Sequence, residues 1–323
     1  MSSNLILPVR INQKWGLIRL DGSVVVEPIH ENAGRGEGVG YFESNGVLVI
    51  VNERGECVSS TVGVKSYSEF SERLLAVQVE GKETYLRDDG TLLVQRFELC
   101  RDFSGGFGQV QVEGGWGLVD KSGSTVLDFM YQEIGPVNSE SSLVPVLKKG
   151  VWQLIDVEGK TRKLFDAAAL YAGPSTYAVG VRQGKNIKFG LAGCDGNWLI
   201  EPRFCEMSRP GVDTVAAKLD DRWELLSFDG YRLFSTDATT LHSVSCGAAA
   251  AYFGGRITWD GLEGGKFRFL DRNGTIMFTR EFDSTFGFRS GVAEVGTMID
   301  MEGVNWKWGY INQDGVVLWE PSD

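Results

Sequence analysis

Gly115-Trp116-Gly117-Leu118-Val119-Asp120-Lys121-Ser122-Gly123 decides how this chain is read. A tryptophan-glycine pair leads into two apolar residues and then a turn glycine. The same frame stands at Lys14-Trp15-Gly16-Leu17-Ile18 with Gly22, and at Lys307-Trp308-Gly309-Tyr310-Ile311 with Gly315. Phe189-Gly190-Leu191 with Gly196 is a fourth copy. Trp152, Trp223 and Phe267 keep the frame, ahead of Gly159, Gly230 and Gly274, but lack the glycine after the aromatic. Tyr85-Leu86 with Gly90 fits more loosely, and Val49-Ile50 with Gly55 fills the remaining slot. Successive turn glycines lie 33 to 44 residues apart. Recurrence at such a spacing identifies a repeat architecture of about nine units, read as one array over residues 1–323.

The unit is a meander. In the first copy Leu17-Ile18 runs into Asp21-Gly22, and Val24-Val25-Val26 follows before Glu27-Pro28. Two apolar runs joined by Asp-Gly predict a hairpin, and the proline is expected to end its second strand. A further strand precedes each hairpin, as in Leu74 to Val79 and Gly108 to Val112, with a tight turn such as Glu80-Gly81 or Glu113-Gly114 between. Helix is nearly absent from the pattern; only residues 165–170 suggest one turn. Trp116 and Leu118 point to one face of their strand, Gly117 and Val119 to the other, and both faces are apolar. Such a strand is buried on both sides. The expected fold is therefore all-β, with nine meanders stacked like propeller blades; an open, curved solenoid of hairpins is the alternative. In either, the aromatic fills the space between sheets, and the glycine lets the neighbouring sheet approach.

Composition narrows the function classes. Acidic residues outnumber basic ones 43 to 32, for a net charge of −11. That balance disfavours nucleic acid and anionic membrane, and favours a basic partner. Five scattered cysteines without CxxC spacing suggest buried thiols in a reducing compartment. Only Leu5-Ile6-Leu7 is apolar near the start, too short for a signal peptide, and no stretch reaches membrane-span length. A cytoplasmic protein is expected.

The motif of Lys-Trp-Gly, an aliphatic pair, a turn Asp/Ser-Gly, valines and Glu-Pro resembles the bacterial WG-repeat family, also called KWG repeats. It is carried by residues 14–28, 115–127, 188–202 and 307–321, with Phe103-Ser104-Gly105-Gly106 and Phe288-Arg289-Ser290-Gly291 as the lead-in. The resemblance implies a protein-interaction array and supplies no catalytic residue.

A search for chemistry agrees. His30 and His242 lie far apart and outside any metal-ligand spacing. Gly34-Arg35-Gly36-Glu37-Gly38 is not followed by the Lys-Ser/Thr of a phosphate loop. Asp120, Asp156, Asp271 and Asn312 recur before their turns and are expected to cap them. No cofactor, metal or catalytic residue is assigned, and the chain is expected not to be an enzyme. Function is expected in material that breaks the period, residues 245–265 and 297–305. Trp259, Asp300, Glu302 and Trp306 are the candidate partner-binding residues. Trp15, Gly16, Trp116, Gly117, Trp152, Phe189, Gly190, Trp223, Phe267, Trp308 and Gly309 are structural. The expectation is a non-enzymatic scaffold, of an immunity or regulatory type, for a basic protein. A propeller-type carbohydrate-active enzyme or a lectin-like binder is the alternative.

Overall fold

The computed structural model describes residues 4–138, 140–259, 261–299 and 306–322. Among these residues every regular element is a strand. The strands form nine small antiparallel sheets of three or four strands, plus one separate hairpin, and the nine are arranged as a β-propeller. The fourth blade shows the pattern. Its inner strand is Leu99–Cys100, its second Gly108–Val112, its third Gly115–Val119 and its outer strand Thr125–Tyr131. Residues 165–170, expected to hold a helical turn, belong instead to the strands Thr161–Phe165 and Ala167–Ala172.

Two kinds of turn set the meander. Second and third strands are joined by residues with φ positive at both positions, such as Glu113 (50°) and Gly114 (76°). That geometry matches the twist of a two-residue hairpin. Third and outer strands are joined at the turn glycine: Gly123, at φ 87°, donates its N–H to Asp120 O at 2.9 Å. Asp120 Oδ1 accepts the Ser122 and Ser124 N–H groups at 2.8 and 3.0 Å. Asp271, Asn312 and Asn52 repeat the arrangement. These recurring Asp and Asn side chains therefore cap their own turns, as expected from the sequence.

The Ser122 hydroxyl first, and backbone N–H groups after it, hold the Asp120 carboxyl below the usual range; in Asp271 the Thr275 N–H leads. A carboxyl with a lowered folded-state pKa stabilises the fold above its unfolded value of about 3.9, and this contribution is lost as pH falls through the lowered value. Asp120→Asn with Asp271→Asn is expected to keep both turns and flatten the acid limb of a stability-against-pH curve. Thermal melts from about pH 6 down to about pH 2 would check it.

The glycine after the aromatic serves its own blade, not the neighbouring one as the sequence suggested. In the first blade Trp15 pairs with His30 but Leu17 pairs with Val26, so the outer strand carries extra residues between the two pairs. The bulge folds over the glycine: a Cβ on Gly16 would lie 2.5 Å from Val26 O and 2.7 Å from Pro28 N. Gly190 meets Ile200 O and Pro202 N at 2.6 and 2.8 Å in the same way, and Gly309 meets Trp319 O and Pro321 N at 2.5 and 2.7 Å. Where Gln153 or Glu224 replaces the glycine, the outer strand pairs residue for residue, Gln153 with Leu164 and Glu224 with Ser235. The prolines consequently lie inside outer strands, Val24–His30, Trp198–Phe204 and Val317–Ser322, rather than ending them. An outer edge tolerates a residue with no N–H to donate.

Blades are held together face to face. Trp116 and Leu118 pack with Ile134, Val144, Val146 and Ile155 of the next blade, while Val119 packs back against Leu74, Ala76 and Tyr85 of the preceding one. The buried apolar residues fall into nine such clusters, one per junction, and the ninth joins Leu5, Leu7, Val9 and Ile18 to Val292 and Tyr310. The ring therefore closes. Among the described residues no strand is exchanged across this last junction: the first blade is built from Leu5–Ile11, Lys14–Arg19 and Val24–His30, the ninth from Ser284–Arg289, Val292–Met298, Trp306–Asn312 and Val317–Ser322. The inner edge of the first blade is completed by Gly36–Glu37, which pairs with Ile6 and Leu5.

Candidate functional site

Inner strands are short, two residues each in Leu99–Cys100, Glu133–Ile134, Glu206–Met207 and Thr240–Leu241, and they line a channel. Two cavities lie along it, of about 800 and about 1140 Å³, sharing Ser104, Pro136, Tyr171, Ala172 and Arg209. Continued past the short inner strands, the register places Tyr67, Arg101 and His242 at the position that Tyr171 and Phe286 hold within theirs, one equivalent position in five blades. Each that packs on the aromatic of its own third strand does so from the channel side. The Arg101 guanidinium lies 3.9 Å from the Trp116 ring centroid and donates to Glu133 at 2.6 Å. Tyr171 stacks on Phe189 at 6.0 Å, and Phe286 on Trp308 at 6.1 Å. Tyr67 and Phe286 are 85% and 78% exposed. This collar was not found from the sequence, because most inner strands have only two residues and so carry no periodicity, while Ala167–Ala172 and Ser284–Arg289 are longer and share no motif with them. Pairing with the second strand is the signal that reveals it.

The third blade departs from the frame. Counting from Gly90 puts Glu83, not Tyr85, in the tryptophan slot, and Glu83 pairs with Gln78 as Trp116 pairs with Gln111. Its carboxylate accepts the Cys100 N–H at 2.5 Å, and Tyr85 donates its hydroxyl to Arg101 O at 2.6 Å. Burial first, and Glu83 second, push the Cys100 thiol up. Cys57, Cys205 and Cys246 are exposed, contrary to the expectation of buried thiols; none of the five is in a disulfide.

Of the late residues, Trp259 is 95% exposed. It caps the hairpin Arg256–Thr258/Gly261–Glu263, inserted between the second and third strands of the eighth blade where other blades have a two-residue turn. This hairpin is what departs from the repeat within 245–265, since Ala249–Phe253 is a regular second strand. Trp306 begins the third strand of the ninth blade, pairs with Met298 and stacks on Trp308 at 5.6 Å. Asp300 and Glu302 lie outside the described residues. Trp259 and Trp306 thus belong to adjacent blades, at the end of the ring shared by second-to-third connections. His30 stacks on Phe42 at 4.0 Å and His242 lies 6.1 Å from Phe267, with burial lowering the pKa of each. Among the described residues no group of three His, Cys, Asp or Glu side chains converges to hold a metal.

Among solved structures, the crystal structure of a eukaryotic initiation factor is similar with a TM-score of 0.67 and 11% identity, over 98% of this chain and 95% of that one. A putative dipeptidyl aminopeptidase IV from Bacteroides ovatus ATCC 8483 is similar at 0.52 and 8% identity, over 96% of this chain and 63% of that one. At such identities the likeness speaks for the fold alone. No curated protein matches the chain. The family model described as WG containing repeat matches residues 85–116, 116–152 and 267–296. The tryptophan-glycine frame returns around the ring, and this model's match to three stretches of it supports a likeness to the WG-repeat family.

Proposed function

We propose that this propeller is a non-enzymatic binding ring for a basic protein partner, gripped at the end of the ring that carries the Trp259 hairpin. The observation that carries this reading is Trp259 itself. A tryptophan left almost wholly in water, flanked by exposed Ile257 and Leu262, is the type of side chain that dominates interface energies. Arg256 donates to Glu263 at 3.1 and 2.9 Å and braces the hairpin base, so less freedom is lost on docking. The net charge of −11 supplies attraction toward a basic surface and speeds encounter at low salt.

Immobilised wild-type ring and Trp259→Ala are the comparison to make, by capture from the source cells. A basic protein retained by the first is expected to bind the variant about 30-fold more weakly, the loss of one hot-spot residue of about 2 kcal/mol. Its retention is expected to fall as salt is raised. The same proteins on both matrices, or an acidic partner indifferent to salt, would count against the proposal.

A further inference from the structure

The channel wall carries basic side chains although the protein as a whole is acidic. The wider cavity, of about 1140 Å³, holds Glu72, Arg209 and Arg289. Glu72 is already engaged, by Lys121 at 2.9 Å and the Gly106 N–H at 3.1 Å, and Arg289 donates to Glu69 at 2.8 Å. The guanidinium of Arg209 makes no ion pair or hydrogen bond among the described residues, although this side chain lines both cavities. Its backbone is held from the next blade, where the Ser243 hydroxyl donates to Arg209 O at 2.8 Å.

A fixed flat surface lines the same cavities as this free fork. Tyr171, 44% exposed, is held parallel to Phe189 with 10° between ring planes, and Phe286 is held parallel to Trp308 at 9°. Both pairs need a glycine on the second strand. A Cβ on Gly180 would lie 2.8 Å from the Phe189 ring, and one on Gly296 would lie 2.9 Å from the Trp308 ring. Those glycines let the third-strand aromatic lie flat and back the channel ring from behind. The two pairs stand three blades apart, a third of the way around the ring, and Tyr171 and Phe286 line the same cavity.

We infer that the channel is a binding site for a small anion carried on a flat apolar body, an aromatic phosphate or carboxylate. The anionic group meets the Arg209 fork, which matches two oxygens at once. The flat body stacks on Tyr171, whose ring loses little freedom because Phe189 already fixes it. The cavity, at about 1140 Å³, is wide enough to admit a ligand of this class. A polyanion is disfavoured, because a net charge of −11 repels every phosphate that Arg209 does not meet.

Titration calorimetry with phenyl phosphate tests the inference, with inorganic phosphate and benzyl alcohol as the two half-ligands. Phenyl phosphate is expected to bind one per ring, and each half-ligand at least ~10-fold more weakly. Arg209→Gln is expected to lower phenyl phosphate affinity by ~10-fold or more while leaving benzyl alcohol unchanged. Tyr171→Leu, which keeps side-chain bulk, is expected to weaken both aromatic probes. Trp259→Ala is expected to change none of these values, which separates the channel from the partner-binding hairpin. Inorganic phosphate binding as tightly as phenyl phosphate, or phenyl phosphate affinity unchanged in both folded channel variants, would overturn it, as would no binding at millimolar concentration.

Discussion

Gly190→Ala is expected to destabilise the ring by about 3 kcal/mol, at the upper end of overpacking costs, although alanine is the smallest possible addition. The new methyl would meet Ile200 O and the Pro202 ring nitrogen, both backbone atoms, so no side-chain rotation relieves the clash. Relief requires removing the bulge between Phe204 and Ile200, which shifts the outer strand against the cluster containing both residues. Gln153→Gly in the fifth blade is the mirror experiment. Pairing is regular there, so that substitution is expected to cost only the roughly 0.5–1 kcal/mol of a strand-interior glycine and to create no bulge. Equilibrium unfolding of both variants checks the pair. Equal losses would show that the glycine acts through the backbone's freedom and not through the bulge.

Leu7→Ala should cost about 3 kcal/mol as well, within the range for truncating a fully buried leucine, and should do so at one place in the ring. Leu7 packs with Val292 and Tyr310 across the only junction whose two blades come from opposite ends of the described chain. With no strand exchanged there among the described residues, side-chain packing carries the closure. The Ser322 hydroxyl donating to Arg10 O adds to it, as does Glu69, shared by Arg35 and Arg289 at 2.8 Å each. Native-state hydrogen exchange is the measurement that separates a local from a global effect. Amides of residues 5–11 and 306–312 are expected to exchange about 100-fold faster, the equivalent of the lost free energy, while those of residues 115–119 change less. A uniform increase around the ring would contradict the assignment of closure to this junction.

The parts of the fold legible in the sequence were those set by short-range chemistry. Gly123 after Asp120, and Gly114 after Glu113, declare their turns because only certain residues accept those dihedrals. The outward and inward alternation around Trp116 declared a strand buried on both faces. Register was not legible. Whether Leu17 pairs with Val26 or with a residue two further on depends on the outer strand, and so Gly16 was assigned to the wrong neighbour. Glu83 in the tryptophan slot was hidden for the same reason, since Tyr85 offered a more familiar aromatic. Closure depends on the summed twist of nine blades, which no single repeat encodes. Trp259 was legible as a site candidate because it stands off the frame. Arg209 and Tyr171 were not: Arg209 follows a two-residue strand, and Tyr171 lies in Ala167–Ala172, whose unbroken apolar run shows no alternation.

The junction between the ninth and first blades also sets a timetable. The apolar face of Leu5, Leu7, Val9 and Ile18 is made ahead of the other blades, and its covering residues, Val292 and Tyr310, come only with the ninth. At about 5–20 residues per second the ribosome leaves that face uncovered for on the order of tens of seconds. Every other blade receives its neighbour within one repeat. The nascent first blade is therefore the segment most open to chaperones and to sticking on a second nascent copy, before any ring exists to bind anything.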